Sequence, residues 1–161
     1  MIRFVTIGVY GWSEERFFAA LQDARVDLLI DIRRRRGVRG SEYPFANATR
    51  LQERLAELGI AYLHRIDLSP SDALRKRQGT ADKEEHVARR QRTELDLAFK
   101  EGYQEEVLAH FDSRAFVDSL PPETRVAALL CVEREPTACH RGLLAARLQK
   151  DLAVDIRHLT P

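Results

Sequence analysis

The chain has 161 residues, a formal net charge of +1 at pH 7 and a hydrophobic fraction of 44%. This length favours one domain with one substantial core, and the hydrophobic fraction excludes a disordered chain. No apolar run approaches the roughly 20 residues of a membrane-spanning helix, and the apolar start lacks the layout of a signal peptide. Two cysteines are too few for a disulfide-rich secreted scaffold. We therefore expect a cytoplasmic protein without membrane contact.

Strand-like and helix-like segments alternate along the chain. In order, they are a strand at 2–9, a helix at 14–24, a strand at 26–33, a helix at 47–59, a strand at 60–66, a largely helical insertion at 67–104, a helix at 104–120, a strand at 125–133, a helix at 139–152 and a strand at 154–159. Ser13 is a typical N-cap for the first helix, and Gly59 a typical stop for the second. The alternation predicts one α/β domain over residues 1–161, with a mostly parallel, twisted sheet of about five strands and helices on both faces, a Rossmann-like three-layer sandwich.

Two basic stretches stand out although the net charge is small. Residues 33–39 carry four consecutive arginines and a fifth at Arg39, and residues 75–92 carry a second, more diluted group. Both stretches have two interpretations, a solvated surface or capture of phosphate or another anion. The total charge does not favour a general nucleic-acid-binding protein, so only the local clustering leaves that function open.

Several predicted strands end in polar or reactive side chains. Because the carboxyl ends of parallel strands share one edge, and open α/β folds bind ligands there, we expect these groups to form one site. The ligand-binding candidates from the first two strands are Tyr10, Asp31 and Arg33, although the last two have an equally plausible role as a structural ion pair. His64, at the end of the third strand, is a candidate base or a hydrogen-bonded strand residue.

The segment "CVEREPTACHR", residues 131–141, holds both cysteines of the chain. If Thr137 caps the following helix, Cys139 lies in its first turn, where free amides and the helix dipole favour a thiolate. Cys139 is then a candidate nucleophile, with Glu133 or His64 as proton-transfer group, or else a buried packing residue. Cys131, inside an apolar strand, is expected to pack or to contribute to ligand binding.

Spacing argues against three other interpretations of this segment. The eight residues from Cys131 to Cys139 are not a thioredoxin-like spacing for a redox pair. Neither cysteine is followed six residues later by the arginine of the cysteine phosphatases. Adjacent Cys139 and His140 would point in different directions on a helix, so we expect no metal site.

Arg141 and His140 complete the candidate ligand-binding set. One turn into the helix, Arg141 can fold back toward the strand ends, where we expect a carboxylate, Asp31 or Glu133, to pair with it. In that position Arg141 would anchor the site more than perform chemistry.

Much of the chain resembles a bacterial and archaeal family called domain of unknown function 488. The resemblance is carried by short motifs spread over nearly the whole length: Ile7-Gly8, Asp31-Ile32-Arg33, Cys131-Val132-Glu133, Cys139-His140-Arg141 and His158-Leu159. The chain departs from the family pattern in its arginine run after Arg33 and in "DLSPSDALRKRQ" after the third strand. Membership implies a fold and a site, but neither a reaction nor a cofactor.

Two functional hypotheses follow. The first is a site for an anionic small molecule, a phosphate or a nucleotide, at the carboxyl edge of the sheet, with an enzyme that uses a cysteine as one version. The second is a non-catalytic module that binds nucleic acid or protein through the arginine-rich loops. The sequence does not decide between them, nor does it predict the oligomeric state.

Overall fold

The computed structural model describes residues 1–161 and contains five strands and six α-helices. The strands are β1 (Arg3–Ile7), β2 (Leu28–Asp31), β3 (Ala61–His64), β4 (Val126–Leu130) and β5 (Ile156–Leu159). The helices are α1 (Glu14–Asp23), α2 (Ala48–Glu57), α3 (Asp72–Glu84), α4 (Leu97–Glu106), α5 (Ser113–Asp118) and α6 (His140–Leu152). None of these helices combines the length and the apolar composition that crossing a membrane requires.

The strands form one sheet in the order β3-β2-β4-β1-β5, and every pairing is parallel. Every residue of β2 and β4 is buried, as expected of central strands covered on both faces. The prediction of a single α/β domain with a parallel five-stranded sheet is confirmed.

Each face of the sheet has its own hydrophobic core. On one face, Phe17 of α1 and Leu51 of α2 pack against β1 and β4. On the other face, the core includes Tyr103 of α4, Phe116 of α5 and Leu144 of α6. The connections leaving β1 and β2 therefore run to one face, whereas the connection leaving β4 runs to the other. Such a divergence opens a crevice at the carboxyl end of the central strand, where α/β folds bind ligands.

The sequence predicts most element boundaries to within two or three residues. Ser13 caps α1 as expected, since its hydroxyl accepts a hydrogen bond from the Arg16 amide at 3.2 Å. Gly59, at φ +71°, follows α2, and this left-handed conformation suits glycine. Asn47 occupies the N-cap position of α2, but its Oδ1 accepts from the Val38 amide at 2.7 Å. That contact fixes the arginine-rich loop to α2.

The prediction of a single helix over residues 104–120 is wrong. The chain instead completes α4 at Glu106, makes a short 3₁₀ turn at Leu108–His110 and starts α5 at Ser113. Asp112 produces the restart, because its carboxylate caps α5 by accepting from the Ala115 amide at 2.9 Å. Apolar residues continue on both sides of the break, so hydrophobic periodicity alone does not reveal it.

Candidate functional site

A cavity of about 350 Å³ opens where β2 and β4 end and α6 begins. Its walls come from the arginine-rich loop after β2, from α3 and the segment that joins α3 to α4, and from the loop between β4 and α6. Two carboxylates line it, those of Asp82 and Glu133. Seven basic side chains line it as well: Arg33, Arg34, Arg35, Arg75, Lys83, Arg89 and Arg92. The lining therefore favours an anionic occupant.

Cys139 and His140 form the floor of the cavity together with Cys131. The expectation that Thr137 caps α6 and places Cys139 in the first turn is wrong. Cys139 is itself the N-cap, with extended backbone (φ −143°, ψ 147°), and its sulfur accepts from the Arg141 amide at 3.5 Å. The extended backbone turns the side chains of Cys139 and His140 toward each other, so that Sγ and Nδ1 lie 3.7 Å apart.

The imidazole of His140 is held in one orientation. Its Nε2 lies 2.9 Å from the carbonyl oxygen of Ile32, and an oxygen that can only accept requires Nε2 to carry a proton. Nδ1 consequently faces the sulfur atoms of both cysteines, at 3.5 Å from Cys131 and 3.7 Å from Cys139. The argument that Cys139 and His140 must diverge therefore fails, because Cys139 lies outside the helix.

The surroundings of the two thiols shift their pKa values in opposite directions. Burial opposes ionisation of Cys139, but hydrogen bonding from Cys131 and the charge of His140 outweigh it and lower its pKa to about 5. Burial and the neighbouring Cys139 raise the pKa of Cys131 well above its ordinary value. For His140, burial lowers the pKa, but the charge of Cys139 and the Ile32 carbonyl outweigh burial and raise it.

Glu133 stands beside the floor in a network of buried charges. Its Oε1 accepts from Arg89 Nε at 3.1 Å and from Arg92 Nη2 at 3.0 Å, while Oε2 accepts from the thiol of Cys131 at 3.3 Å. Burial alone would raise the pKa of Glu133, but the charges of Arg89 and Arg92 lower it to about 2. Arg92 also binds Asp82 of α3 at 2.6 Å. Its bond to Glu133 ties the segment between α3 and α4 to the loop after β4.

Asp31 and Arg33 form a closed ion pair behind the cavity wall. Arg33 donates through Nε and Nη2 to the two carboxylate oxygens of Asp31 at 2.9 and 2.8 Å, and both side chains are at most 2% exposed. Arg33 also donates to the Ala46 carbonyl at 2.9 Å, and Tyr62 donates to Asp31 at 2.7 Å. The geometry favours a structural ion pair, although Arg33 is also among the residues that line the cavity.

Arg141 anchors the loop between β4 and α6. The prediction that a carboxylate, that of Asp31 or Glu133, pairs with it is wrong. Its guanidinium is fully buried and donates to the backbone carbonyls of Glu133 at 2.6 Å and Arg134 at 2.9 Å, and to the Thr6 hydroxyl at 3.3 Å. Gly8 permits this arrangement, because a Cβ there would stand only 1.8 Å from the Glu133 carbonyl oxygen. Arg141 does not line the cavity.

Two other candidate residues lie outside the cavity. His64 donates through Nε2 to the Arg33 carbonyl at 2.8 Å, as a hydrogen-bonded strand residue does. Tyr10 is buried against Tyr43, with ring centroids 5.4 Å apart, and Arg90 lies 5.3 Å above its ring. The placement of these two residues gives no support to a catalytic or ligand-binding role.

The sequence analysis gives residues 75–92 anion capture as one interpretation, but it singles out none of Gln78, Asp82, Arg89 and Arg92 as site residues. They belong to the segment 67–104, which was expected as an insertion with a diluted basic patch, yet this segment forms one wall of the cavity. Arg92 and Asp82 are buried, at 8% and 7% exposure. One feature of the sequence points to this role. The segment leaves the sheet at the carboxyl end of a strand, so it starts at the edge where the site lies.

A family model matches most of the chain. The family model called domain of unknown function DUF488 matches residues 13–148, which include both cysteines, Glu133 and every residue that lines the cavity. A comparison with curated proteins and one with solved structures find no match. The chain is therefore a member of the DUF488 family, as its motifs indicated.

Proposed function

We propose that the protein binds an anionic small molecule, one that carries a phosphate or a similar oxyanion, in the cavity at the carboxyl edge of the sheet. The observation that carries this proposal is the excess of seven basic over two acidic side chains around one cavity. The N-terminus of α6, which is the positive end of its helix dipole, lies at the floor of the same cavity. It adds to the attraction for an anion.

Not every basic group of the lining is free to bind a ligand. Arg33 is neutralised by Asp31, and Arg92 is neutralised by Asp82 and Glu133. In contrast, Arg34 and Lys83 form no ion pair in the structure, and Arg34 is held only by its Nε contact to the Pro70 carbonyl at 2.7 Å. We therefore assign first contact with the anion to Arg34 and Lys83, and the shaping of the cavity to the paired arginines.

The size of the cavity favours a small anion over a polymer. About 350 Å³ lies at the lower end of the range of roughly 300–1,000 Å³ for small-molecule pockets, so a phosphate ester or one mononucleotide would fill it. The two basic stretches converge on this volume rather than forming a flat surface. The alternative of a nucleic-acid-binding module makes a separate prediction, namely oligonucleotide binding that weakens steeply as salt rises.

Calorimetric titration tests the proposal. Inorganic phosphate, sulfate and nucleoside mono- and diphosphates are titrated into the full-length protein at fixed ionic strength. We expect at least one of them to bind with one-to-one stoichiometry, and Lys83→Gln to weaken it by roughly tenfold, since a charge-assisted hydrogen bond is lost. Arg54→Gln is the matched control, because it removes one positive charge from an exposed pair with Glu57 on α2 and should leave the affinity unchanged.

The proposal fails if none of these anions binds, or if Lys83→Gln and Arg54→Gln weaken binding equally. Equal weakening would mean that only the net charge of the molecule matters. An oligonucleotide that binds more tightly than every small anion, with a steep salt dependence, would replace the small-molecule function with the nucleic-acid one.

A second candidate function, catalysis with Cys139 as nucleophile, is favoured by one specific observation. Cys139 is among the residues that line the cavity and would therefore lie beside a bound anion. If this function is right, iodoacetamide should modify Cys139 in the native protein and a bound anion should protect it. Modification of Cys139 only after unfolding would exclude the nucleophile.

A further inference from the structure

Three soft or borderline donor atoms meet at the floor of the cavity. The sulfur atoms of Cys131 and Cys139 and the Nδ1 of His140 all lie within 4.8 Å of one another, and all three residues are buried. From this geometry we propose that Cys131, Cys139 and His140 bind one zinc-class divalent metal ion, with the fourth coordination position facing the cavity. The proposal deepens the anion-binding function, because a ligand in the cavity would reach the open position.

The distances between the donors suit a tetrahedral ion. Zinc bonds of about 2.3 Å to sulfur and about 2.0–2.1 Å to nitrogen place sulfur and nitrogen ligands roughly 3.5 Å apart. The observed sulfur-to-Nδ1 distances are 3.5 Å for Cys131 and 3.7 Å for Cys139. The two sulfur atoms, which lie within 4.8 Å of each other, need an edge of roughly 3.8 Å, so a small side-chain adjustment completes the set.

The surroundings of the three donors also suit a metal site. A metal-bound imidazole characteristically donates its other nitrogen to a carbonyl or carboxylate, and His140 Nε2 lies 2.9 Å from the Ile32 carbonyl. That contact leaves the Nδ1 lone pair directed at the two sulfur atoms. The Arg141 amide at 3.5 Å from the Cys139 sulfur supplies the kind of N–H contact that supports a bound thiolate.

The charges balance without a further carboxylate ligand. Two thiolates, a neutral imidazole and a divalent ion sum to zero, so the occupied cluster would carry no net charge. This suits a buried site that has the guanidinium of Arg141 behind it, itself without a carboxylate partner. Thiolate and imidazole donors select zinc-like ions over magnesium or calcium, which prefer oxygen. Glu133 lies next to Cys131 and is held in place by Arg89 and Arg92.

Cobalt(II) is the probe for this site, because its tetrahedral thiolate complexes absorb in the near ultraviolet and the red. The full-length, reduced protein is titrated with cobalt, and the metal content of protein purified without a metal-affinity tag is measured by elemental analysis. We expect one cobalt per chain with thiolate charge-transfer absorption, displaced by zinc.

Variants locate the ion. Cys131→Ser, Cys139→Ser and His140→Gln should each weaken cobalt binding by more than the roughly 10- to 100-fold that loss of an outer hydrogen-bond partner costs. His64→Gln is the matched control, because this histidine also contacts a backbone carbonyl but lies outside the cluster and should leave binding unchanged. Circular dichroism checks that each variant is folded.

A readout on the unaltered chain covers the case in which a variant fails to fold. Zinc should protect both thiols from alkylation in the native protein, and a chelator should restore their reactivity. The inference is overturned if cobalt gives no thiolate charge-transfer absorption, if a ligand variant binds cobalt as tightly as the parent chain, or if zinc protects neither thiol. Phosphate titration of Lys83→Gln is independent of these results, so failure of the metal site and failure of the anion site are distinguishable.

Discussion

The carboxyl ends of β2 and β4 lie side by side in the sheet, yet they are built differently. At the end of β2, Asp31 and Arg33 pair with each other and are both buried, although Arg33 is among the residues that line the cavity. At the end of β4, Glu133 takes its partners from the distant residues Arg89 and Arg92, and Cys131 faces His140. Asp31 finds its partner two residues along the chain, so this strand end needs no other segment. Glu133 takes its partners from the segment between α3 and α4, and the cavity lies between that segment and the strand end.

The same contrast applies to the two buried arginines of the family motifs. Arg33 has a carboxylate partner and stabilises the loop after β2, while Arg141 has backbone carbonyls and the Thr6 hydroxyl. Arg141 therefore holds the backbone of the loop between β4 and α6 and leaves Glu133 free to organise the cavity. Four substitutions test this comparison.

The largest effect is expected at Arg141. Arg141→Ala leaves two buried carbonyls without their donors and opens a cavity in the core, which we expect to cost about 4 kcal/mol of unfolding free energy. Arg157→Ala, at an exposed site on β5, is the control and should stay within about 0.5 kcal/mol of the parent chain. Denaturant-induced unfolding measures both, and equal stability of the two variants would contradict the anchoring role.

Asp31→Asn should cost about 3 kcal/mol, because it leaves the buried charge of Arg33 without its counter-ion. The chain offers a matched control in Asp67, which also pairs with an arginine two residues away, Arg65, through two bonds of 2.8 and 2.7 Å. Asp67 is 59% exposed, so Asp67→Asn should cost at most about 1 kcal/mol. Chemical denaturation of both variants compares the buried and the exposed pair directly, and similar losses would show that burial is not the cause.

Tyr62, which donates a hydrogen bond to Asp31 at the end of β2, should make the stability of the fold depend on pH in the alkaline range. Burial, with the hydrogen bond to Asp31, raises its pKa from 10.0 to about 12. A raised pKa in the folded state means that the stabilisation is complete below pH 10 and is lost as pH rises toward 12. We expect Tyr62→Phe to flatten the fall in stability across this window, as measured by unfolding at several pH values. An unchanged fall in the variant would assign it to other groups.

The smallest effect is expected at His64. His64→Gln removes a partly buried contact to the Arg33 carbonyl, which should cost about 1 kcal/mol or less. Because His64 does not line the cavity, anion affinity should be unchanged in the same calorimetric titration. A variant of normal stability with lost anion binding would restore His64 to the site.

Local patterns in the sequence predict much of this fold and part of the site. The central strands are apolar except for Asp31 at the end of β2, and the pairing of Asp31 with Arg33 is one of the two roles that their spacing suggests. The roles of Arg89 and Arg92 were not predictable, because charged residues of a polar segment become buried only through contacts about 40 residues away, as in the pairs with Glu133. The convergence of Cys139 and His140 depends on one backbone conformation at an N-cap, which hydrophobic periodicity does not report.

The most direct test of the central claim is a crystal structure of the full-length protein soaked with inorganic phosphate and, separately, with the nucleoside phosphate that binds best. We predict one anion inside the cavity, within hydrogen-bond distance of Arg34 or Lys83 and above the start of α6. Anions bound only elsewhere on the surface, with the cavity filled by water under saturating ligand, would contradict the claim.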